Sequence, residues 1–411
     1  MLKNINYFKG VCLITGTCIG AGMIGVPVKT AAAGFYPTIA AFGVVWLVMT
    51  CSALLLLEVS LAFSGDINFI SMTNTILGKT GRNIAWVIYL LFMYSIMAAY
   101  AAGGAALVAK LGAYDPKMAT LIFMLPFALI IYLGTTWVAI VNRILTTGII
   151  IFFILLCFSI FGTTRTLQPI ENLYIKSDLK VLFMALPVLV TTFSYHEIIP
   201  SLKSYLKEKL IPLKLAILLG GFIPLIIYIA WELVILLLVP VFGGNGLISM
   251  LSSNKNPSDS LINYLLEYNN KGNILFFISS FLFCALTCSL TGTAWALFDF
   301  FADGLAILKN KQGKLILSSL TFIPPIIYAI VFPQGFLKAL GLAGAFSAIL
   351  MIIYPALMAY KLRASRHLVA NSPIIYRAPI GKILISIIFL FGVLILILEG
   401  MAGVSNFGYL H

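Results

Sequence analysis

Gly16-Thr17-Cys18-Ile19-Gly20-Ala21-Gly22-Met23-Ile24-Gly25-Val26-Pro27 lies in the first long apolar run of the chain, and its reading decides the rest. Gly20, Gly22 and Gly25 match the G-x-G-x-x-G spacing of a dinucleotide-binding turn. That turn needs a strand before the glycines, a helix after them and an acidic residue about 20 positions further on. Here the preceding residues, Gly10 to Thr15, belong to the same apolar run, and the first acidic residue downstream is Glu58. A phosphate cradle is excluded. Two readings remain open. Gly16-x-x-x-Gly20 is spaced for close packing of helices in lipid, and the glycines together can open a helix where backbone must face a ligand.

The composition selects the solvent. Of 411 residues, 61% are hydrophobic and 9% charged, with a mean hydropathy of +1.08. A soluble domain carries about 25% charged residues, so this chain cannot clothe itself for water and must use lipid. The net charge of +13 does not indicate nucleic acid. The basic residues sit in short clusters between apolar runs, which is how membrane orientation is encoded. Cys12, Cys18, Cys51, Cys157, Cys284 and Cys288 all lie in apolar segments with no C-x-x-C pair, and read as small packing residues. The N-terminal run continues past Pro27 without a convincing A-x-A cleavage site, so it reads as the first retained span and not as a secretory signal.

A crossing helix needs roughly 20 mostly apolar residues. Eleven runs qualify, near 8–32, 36–63, 84–111, 118–140, 143–163, 180–200, 212–240, 274–298, 315–332, 336–360 and 381–404. The fourth and fifth are separated only by Val141, Asn142 and Arg143. Membrane β-strands would be short and alternating, so helices are expected. Lysines and arginines gather on alternate connections, among them Lys79, Arg82, Lys203, Lys207, Lys209, Lys309, Lys361 and Arg363. That bias places the N-terminus in the cytoplasm and the C-terminus outside. In the longest outer connection, Leu261, Leu265 and Leu266 repeat at helical spacing after Pro257, the pattern of a short interfacial helix. No linker or soluble domain is evident, so residues 1–411 form a single transmembrane domain.

A second span is interrupted like the first. The sixth reads Thr191-Thr192-Phe193-Ser194-Tyr195-His196-Glu197-Ile198-Ile199-Pro200, a polar cluster closed by proline as the first is closed by Pro27. Two repeats of five spans, about 8–163 and 180–360 with an added helix at 381–404, make the first and sixth spans counterparts running in opposite directions. Interrupted spans at matching positions of inverted halves point to the binding site of a secondary transporter. Backbone freed in mid-membrane costs several kcal/mol per polar group unless a cavity or ligand takes it. The outer half of the first span then starts near the midplane with its positive end free, which suits a carboxylate.

These residues resemble a known family. GTCIGAGMIGVPVKTAAAGFYP is similar to the G-x-x-x-G-A-G-M-x-x-x-P signature of the hydroxy/aromatic amino acid permease family. Ser194 to Leu202 resemble its F-x-x-H-x-x-I-P-S-L segment, with Glu197 standing where smaller residues often occur. Leu297-Phe298-Asp299-Phe300-Phe301-Ala302-Asp303 resemble its L-F-D-F-x-A-D. The resemblance covers nearly the whole chain. It implies an all-α LeuT-like 5+5 inverted repeat with broken helices 1 and 6, in a bacterial inner membrane. The implied activity is proton-driven import of an aromatic amino acid, tyrosine first and tryptophan next.

For the substrate's charged ends, the candidates are the backbone at Gly20, Ala21, Gly22 and Met23, with Phe193, Ser194, Tyr195 and His196 opposite. Tyr94 and Tyr100 of the third span are candidates for stacking on its side chain, with packing as the alternative. A charge at a helix centre costs about 2.5–3.5 kcal/mol on insertion scales, so acids inside spans need a partner or a task. Those acids are Glu58, Glu197, Glu232 and Glu399, with Lys29 and His196 as potential partners. His196, Glu197 and Glu58 are the proton-coupling candidates; Glu58 also suits pairing with loop lysines. Glu232 and Glu399 read as structural, and Asp299 and Asp303 as inner-face packing or gating residues.

His196-Glu197-Ile198-Ile199-Pro200 begins like H-E-x-x-H, but Pro200 replaces the second histidine, so no zinc site is expected. Thr287, Ser289, Thr291 and Thr293 in the eighth span are able to ligate sodium, although membrane hydroxyls more often bond their own helix. No cofactor or metal is called for; the partners are an amino acid, a coupling ion and the bilayer. The alternatives are a sodium-coupled or serine/threonine-type transporter, or a passive channel. An embedded enzyme lacks a catalytic set in the spans.

Overall fold

The computed structural model describes residues 5–64, 67–161, 178–252, 257–268, 273–333, 335–365 and 376–407. Among them the chain is helical throughout. Ten helices are long and apolar enough to cross a membrane, and one bent pair makes the eleventh span. That pair is α1 (Ile5–Cys18) and α2 (Gly22–Thr30), bent by 51° across the glycines and followed by a 3₁₀ turn at Ala31–Ala33. Next come α3 (Phe35–Leu61), α4 (Phe69–Gly112), α5 (Pro116–Leu133) and α6 (Thr135–Phe161). The sixth span is α7 (Leu179–Thr191), a non-helical stretch, a 3₁₀ turn at His196–Ile198, and α8 (Ile199–Tyr205). Helix α9 (Leu210–Leu238) leads through α10 (Leu247–Ser252) and α11 (Pro257–Tyr268) to α12 (Asn273–Gly304). The chain ends with α13 (Lys311–Val331), then α14 (Phe336–Ser347) joined through a π-helical turn at Ala348–Ile353 to α15 (Tyr354–Ala364), and α16 (Lys382–Phe407).

Two boundaries differ from the sequence expectation. The fourth and fifth spans part at Gly134, not at Val141–Arg143. Gly134 has φ +108° and ψ −174°, a backbone conformation open only to glycine, and its N–H closes α5 on the Ile130 and Ile131 carbonyls. Asn142 and Arg143 therefore lie inside α6. The third span starts much earlier than residue 84. Its first turns are a separate amphipathic segment that buries Phe69, Met72, Thr73 and Ile76, a stripe at helical spacing, and Gly78 (φ +82°) kinks it away from the membrane-crossing part. The expected loop helix is α11, with Leu261 and Leu265 buried; the side chain of Leu266 lies outside the described residues.

The two broken spans run antiparallel. The Asp178 N–H, before α7, donates to the Ala32 carbonyl at the far end of the first span (3.2 Å). At the other end, a Cβ on Gly10 would lie 3.0 Å from Leu202 of α8. Helix α9 runs beside α1 and α2. Gly220 lets it come close, since a Cβ there would stand 2.7 Å from Ile14. Apolar side chains such as Leu125, Leu129, Ile144, Ile383 and Leu390 remain exposed on the outside of the bundle, as lipid contact requires.

Candidate functional site

The break in the first span spans Ile19 to Ala21, and its loosened carbonyls are taken by side chains from distant helices. Ser289 of α12 donates to the Ile19 carbonyl (2.7 Å), the Tyr228 hydroxyl of α9 to Cys18 (3.0 Å) and the Trp231 indole N–H to Met23 (2.5 Å). Inside the break, the Met23 N–H returns to Gly20 and the Ile24 and Gly25 N–H groups to Ala21. The need for glycine is steric as well. A Cβ on Gly20 would stand 2.7 Å from the Ser289 hydroxyl and 3.0 Å from the Tyr100 ring; one on Gly22 would stand 2.5 Å from the Tyr228 hydroxyl and 2.8 Å from Thr192. Gly16 sits below, against Thr146 and Cys288. Helix packing thus accounts for Gly16, and the opened backbone for Gly20 and Gly22.

The sixth span satisfies its own break. Thr191, Thr192 and Ser194 turn their hydroxyls back to the carbonyls of Val188 (2.7 Å), Leu189 (2.6 Å) and Val190 (3.1 Å). Phe193 packs edge-on against Phe42 and beside Tyr228, so both breaks meet around one aromatic cluster. Tyr195 and His196 are buried with their rings 5.2 Å apart, and His196 lies against the Met49 backbone.

A cavity of about 970 Å³ rises from one face of the bundle toward these breaks. Its mouth holds Arg82 and Asp303, its aromatic wall Trp86 and Trp295, and its upper end Thr17 and Glu197. Glu197 is the candidate that lines this space. Its Oε2 is buried and lacks a hydrogen bond. Gly20, Ala21, Gly22, Met23, Phe193, Ser194, Tyr195 and His196 gather immediately beyond, all buried. Tyr100 reaches the same centre, with its hydroxyl near Ser289 and Thr293. Tyr94 does not: its hydroxyl donates to the Leu320 carbonyl of α13 (2.7 Å) and its ring sits near Phe301.

Glu58 stands apart as well. Arg363 of α15 clamps it with Nε at 2.8 Å and Nη2 at 2.5 Å, the Ala378 N–H adds a third bond at 2.8 Å, and Arg363 also donates to the Ile380 carbonyl. That is a pairing with Arg363, not with loop lysines. Asp299 pairs with Lys309 at 2.7 Å near the cavity mouth. Lys203, which the sequence places in a loop, is buried and donates to the Phe63 carbonyl (2.6 Å). Of the eighth-span hydroxyls, Thr287 and Thr291 bond their own helix, and only Ser289 reaches the break. Tyr228 and Trp231 escaped the sequence reading, and Ser289 entered it only as a sodium-ligand candidate. The signal was available for the two aromatics: Tyr228 and Trp231 are three apart, on one face of a helix.

Residues 3–399, nearly the whole chain, match the tryptophan/tyrosine permease family. The chain belongs to that family. The permease is 32% identical to the tyrosine-specific transport system 1 of Haemophilus influenzae, over 93% of this chain and 94% of that one. It is 31% identical to a tryptophan-specific transport protein of Pseudomonas aeruginosa, over 93% and 92%. In fold it resembles the crystal structure of the Eremococcus coleocola manganese transporter, with a TM-score of 0.56 and 14% identity over 96% of this chain and 85% of that chain. The permease is thus a multi-pass membrane transporter of LeuT-like architecture, with its first and sixth spans broken where that fold breaks them.

Proposed function

We propose that the permease imports an aromatic amino acid, tyrosine before tryptophan, by proton symport through alternating access. The observation that carries this reading is the meeting of two opened helices at the head of a one-sided cavity. Opened backbone offers N–H and C=O groups to the ammonium and carboxylate of an amino acid. The cluster of Phe42, Phe193, Tyr100 and Tyr228 around them offers ring faces to an aromatic side chain. The names of the relatives support the same substrate class.

Alternating access fits the packing. On the side away from the cavity, α2 lies under α10, α11 and α14. With the N-terminus in the cytoplasm of a bacterial inner-membrane protein, the cavity faces inward and the outer route is shut. The repeats at 8–163 and 180–360 then rock about the substrate. For coupling, His196 and Glu197 are the groups we assign to the proton or the substrate, while Glu58 is a structural clamp. A proton is favoured over sodium because Thr287 and Thr291 are committed to their own backbone.

Uptake of labelled tyrosine, tryptophan and serine into proteoliposomes under an imposed pH gradient tests the proposal. Saturable uptake of tyrosine, driven by an acidic exterior and competed by tryptophan, is expected. Uptake driven by a sodium gradient alone would replace the proton; preference for serine would replace the substrate class; unsaturable flux would make the protein a channel.

A further inference from the structure

Glu232 of α9 is fully buried and takes no part in the site described above. It lies beside Trp231 and one turn beyond Tyr228, so these three residues form a single face of α9 that grips the broken first span. Tyr228 holds Cys18, Trp231 holds Met23, and Glu232 Oε1 lies 2.7 Å from the Thr30 hydroxyl at the end of α2. The same hydroxyl lies 2.8 Å from the Val26 carbonyl. A threonine has one hydrogen to give. One hydrogen cannot make two well-aligned short bonds at once, and a carbonyl can only accept. Both short contacts are hydrogen bonds when Thr30 donates to Val26 and Glu232, carrying a proton, donates to Thr30.

The surroundings agree with a neutral acid. Oε2 of Glu232 is buried without a hydrogen bond, and among the described residues no cation pairs with it. Were the group ionised, Thr30 would have to turn its hydrogen away from Val26, leaving that carbonyl its helix bond alone and placing a charge in an apolar wall. Neighbouring titratable groups do not compensate. On α2, Lys29 faces Glu399 of α16. The helices packed on α9 also include α1, with Tyr7, Cys12 and Cys18, and α3, with Tyr36, Cys51 and Glu58. Glu58 is clamped by Arg363. Across Trp231 and Phe281, α12 brings Cys284, Cys288, Asp299 and Asp303; Asp299 is paired with Lys309.

We infer that Glu232 is a proton-binding site, and that the proton it holds latches the outer half of the first span, α2, against α9. Swinging α2 away removes Thr30 and hydrates the carboxyl, which then releases its proton. The return of α2 requires the proton back. This goes beyond the symport reading, because the latch governs closure of the outer side whether or not its proton is the one that crosses.

Val28, buried on α2, becomes the reporter when replaced by cysteine. In proteoliposomes, the reactivity of V28C toward a membrane-impermeant maleimide is followed against pH, with Glu232 or with E232Q in the same chain. Since both carry the same thiol, the difference between them isolates the latch. With Glu232, labelling should rise with pH by about tenfold more than with E232Q, which should stay protected throughout. T30V provides the second variant. It removes the acceptor of the proton, so the midpoint of labelling should move to lower pH. Equal pH dependence with Glu232 and E232Q would overturn the inference, as would an unmoved midpoint in T30V should E232Q fail to fold. The labelling needs no transport. If it behaves as expected while a pH gradient drives no uptake, the symport reading fails and the latch stands; driven uptake with equal labelling gives the reverse.

Discussion

At the scale of the residue, the centre is built by the removal of side chains at two points and their supply at four others. Gly20 and Gly22 clear the space that Ser289, Tyr100, Tyr228 and Thr192 fill. Gly22→Leu forces a branched side chain onto the Tyr228 hydroxyl. Overpacking costs about 1–3 kcal/mol, which an eleven-span bundle absorbs, so G22L should insert and express yet show no tyrosine uptake. Normal uptake would move the site elsewhere. Glu197→Gln keeps shape and removes charge at the head of the cavity. Its tyrosine uptake should fall by about tenfold or more, equivalent to 1.4 kcal/mol of lost coupling or binding, with an unaltered size-exclusion profile. The glycines and the His196-Glu197 pair were legible because they violate the apolar pattern around them. Tyr228 and Trp231 were not, and Ser289 was read only as a sodium-ligand candidate, because aromatic and hydroxyl residues are common in these spans and only the fold brings them to residues more than 200 positions away.

At the scale of the element, two kinds of break appear, and the physics of each left a different trace. The first span carries glycines and Pro27, the sixth carries hydroxyls that cap their own carbonyls, and both were readable as polar or glycine-rich flaws in apolar runs. The turn between α5 and α6 was misplaced because Gly134 sits silently between apolar stretches, while Asn142 and Arg143 mimic a loop. Arg143 is exposed and Asn142 lines the cavity. The early part of α4 was missed because its polar residues dilute the hydropathy that marks a span. Gly134→Ala places a side chain in a glycine-only conformation. It should lower stability by about 1–3 kcal/mol, read by thermal unfolding in detergent, and leave tyrosine affinity unchanged. The clamp between α3 and α15 is stiffer. Glu58→Gln leaves Arg363 buried beside a neutral partner, and breaking a buried pair costs about 3–5 kcal/mol. A clear fall in Tm is expected, with the pH dependence of uptake retained; loss of that dependence would return Glu58 to the coupling machinery.

At the scale of the whole molecule, the eleven spans, the antiparallel relation of the broken pair and the one-sided cavity form a single device. The clustering of Arg82, Lys309 and Arg363 at the cavity face is what the sequence's charge bias leads one to expect of a cytoplasmic side. Ala296 lines the cavity, so Ala296→Cys in inside-out vesicles should react with an impermeant maleimide and be protected in right-side-out vesicles at low external sodium and acid pH. The lysines and arginines give only an expected sidedness. Which side stands open was not legible, because that depends on how α2 packs beneath α10, α11 and α14.

The most direct measurement is a high-resolution structure of the purified permease with tyrosine bound. Density for the amino acid is expected between the backbone of Gly20 to Met23 and that of Phe193 to His196, its ring among Phe42, Tyr100 and Tyr228. Tyrosine bound outside both breaks, or a first and sixth span running as continuous helices around it, would contradict the assignment.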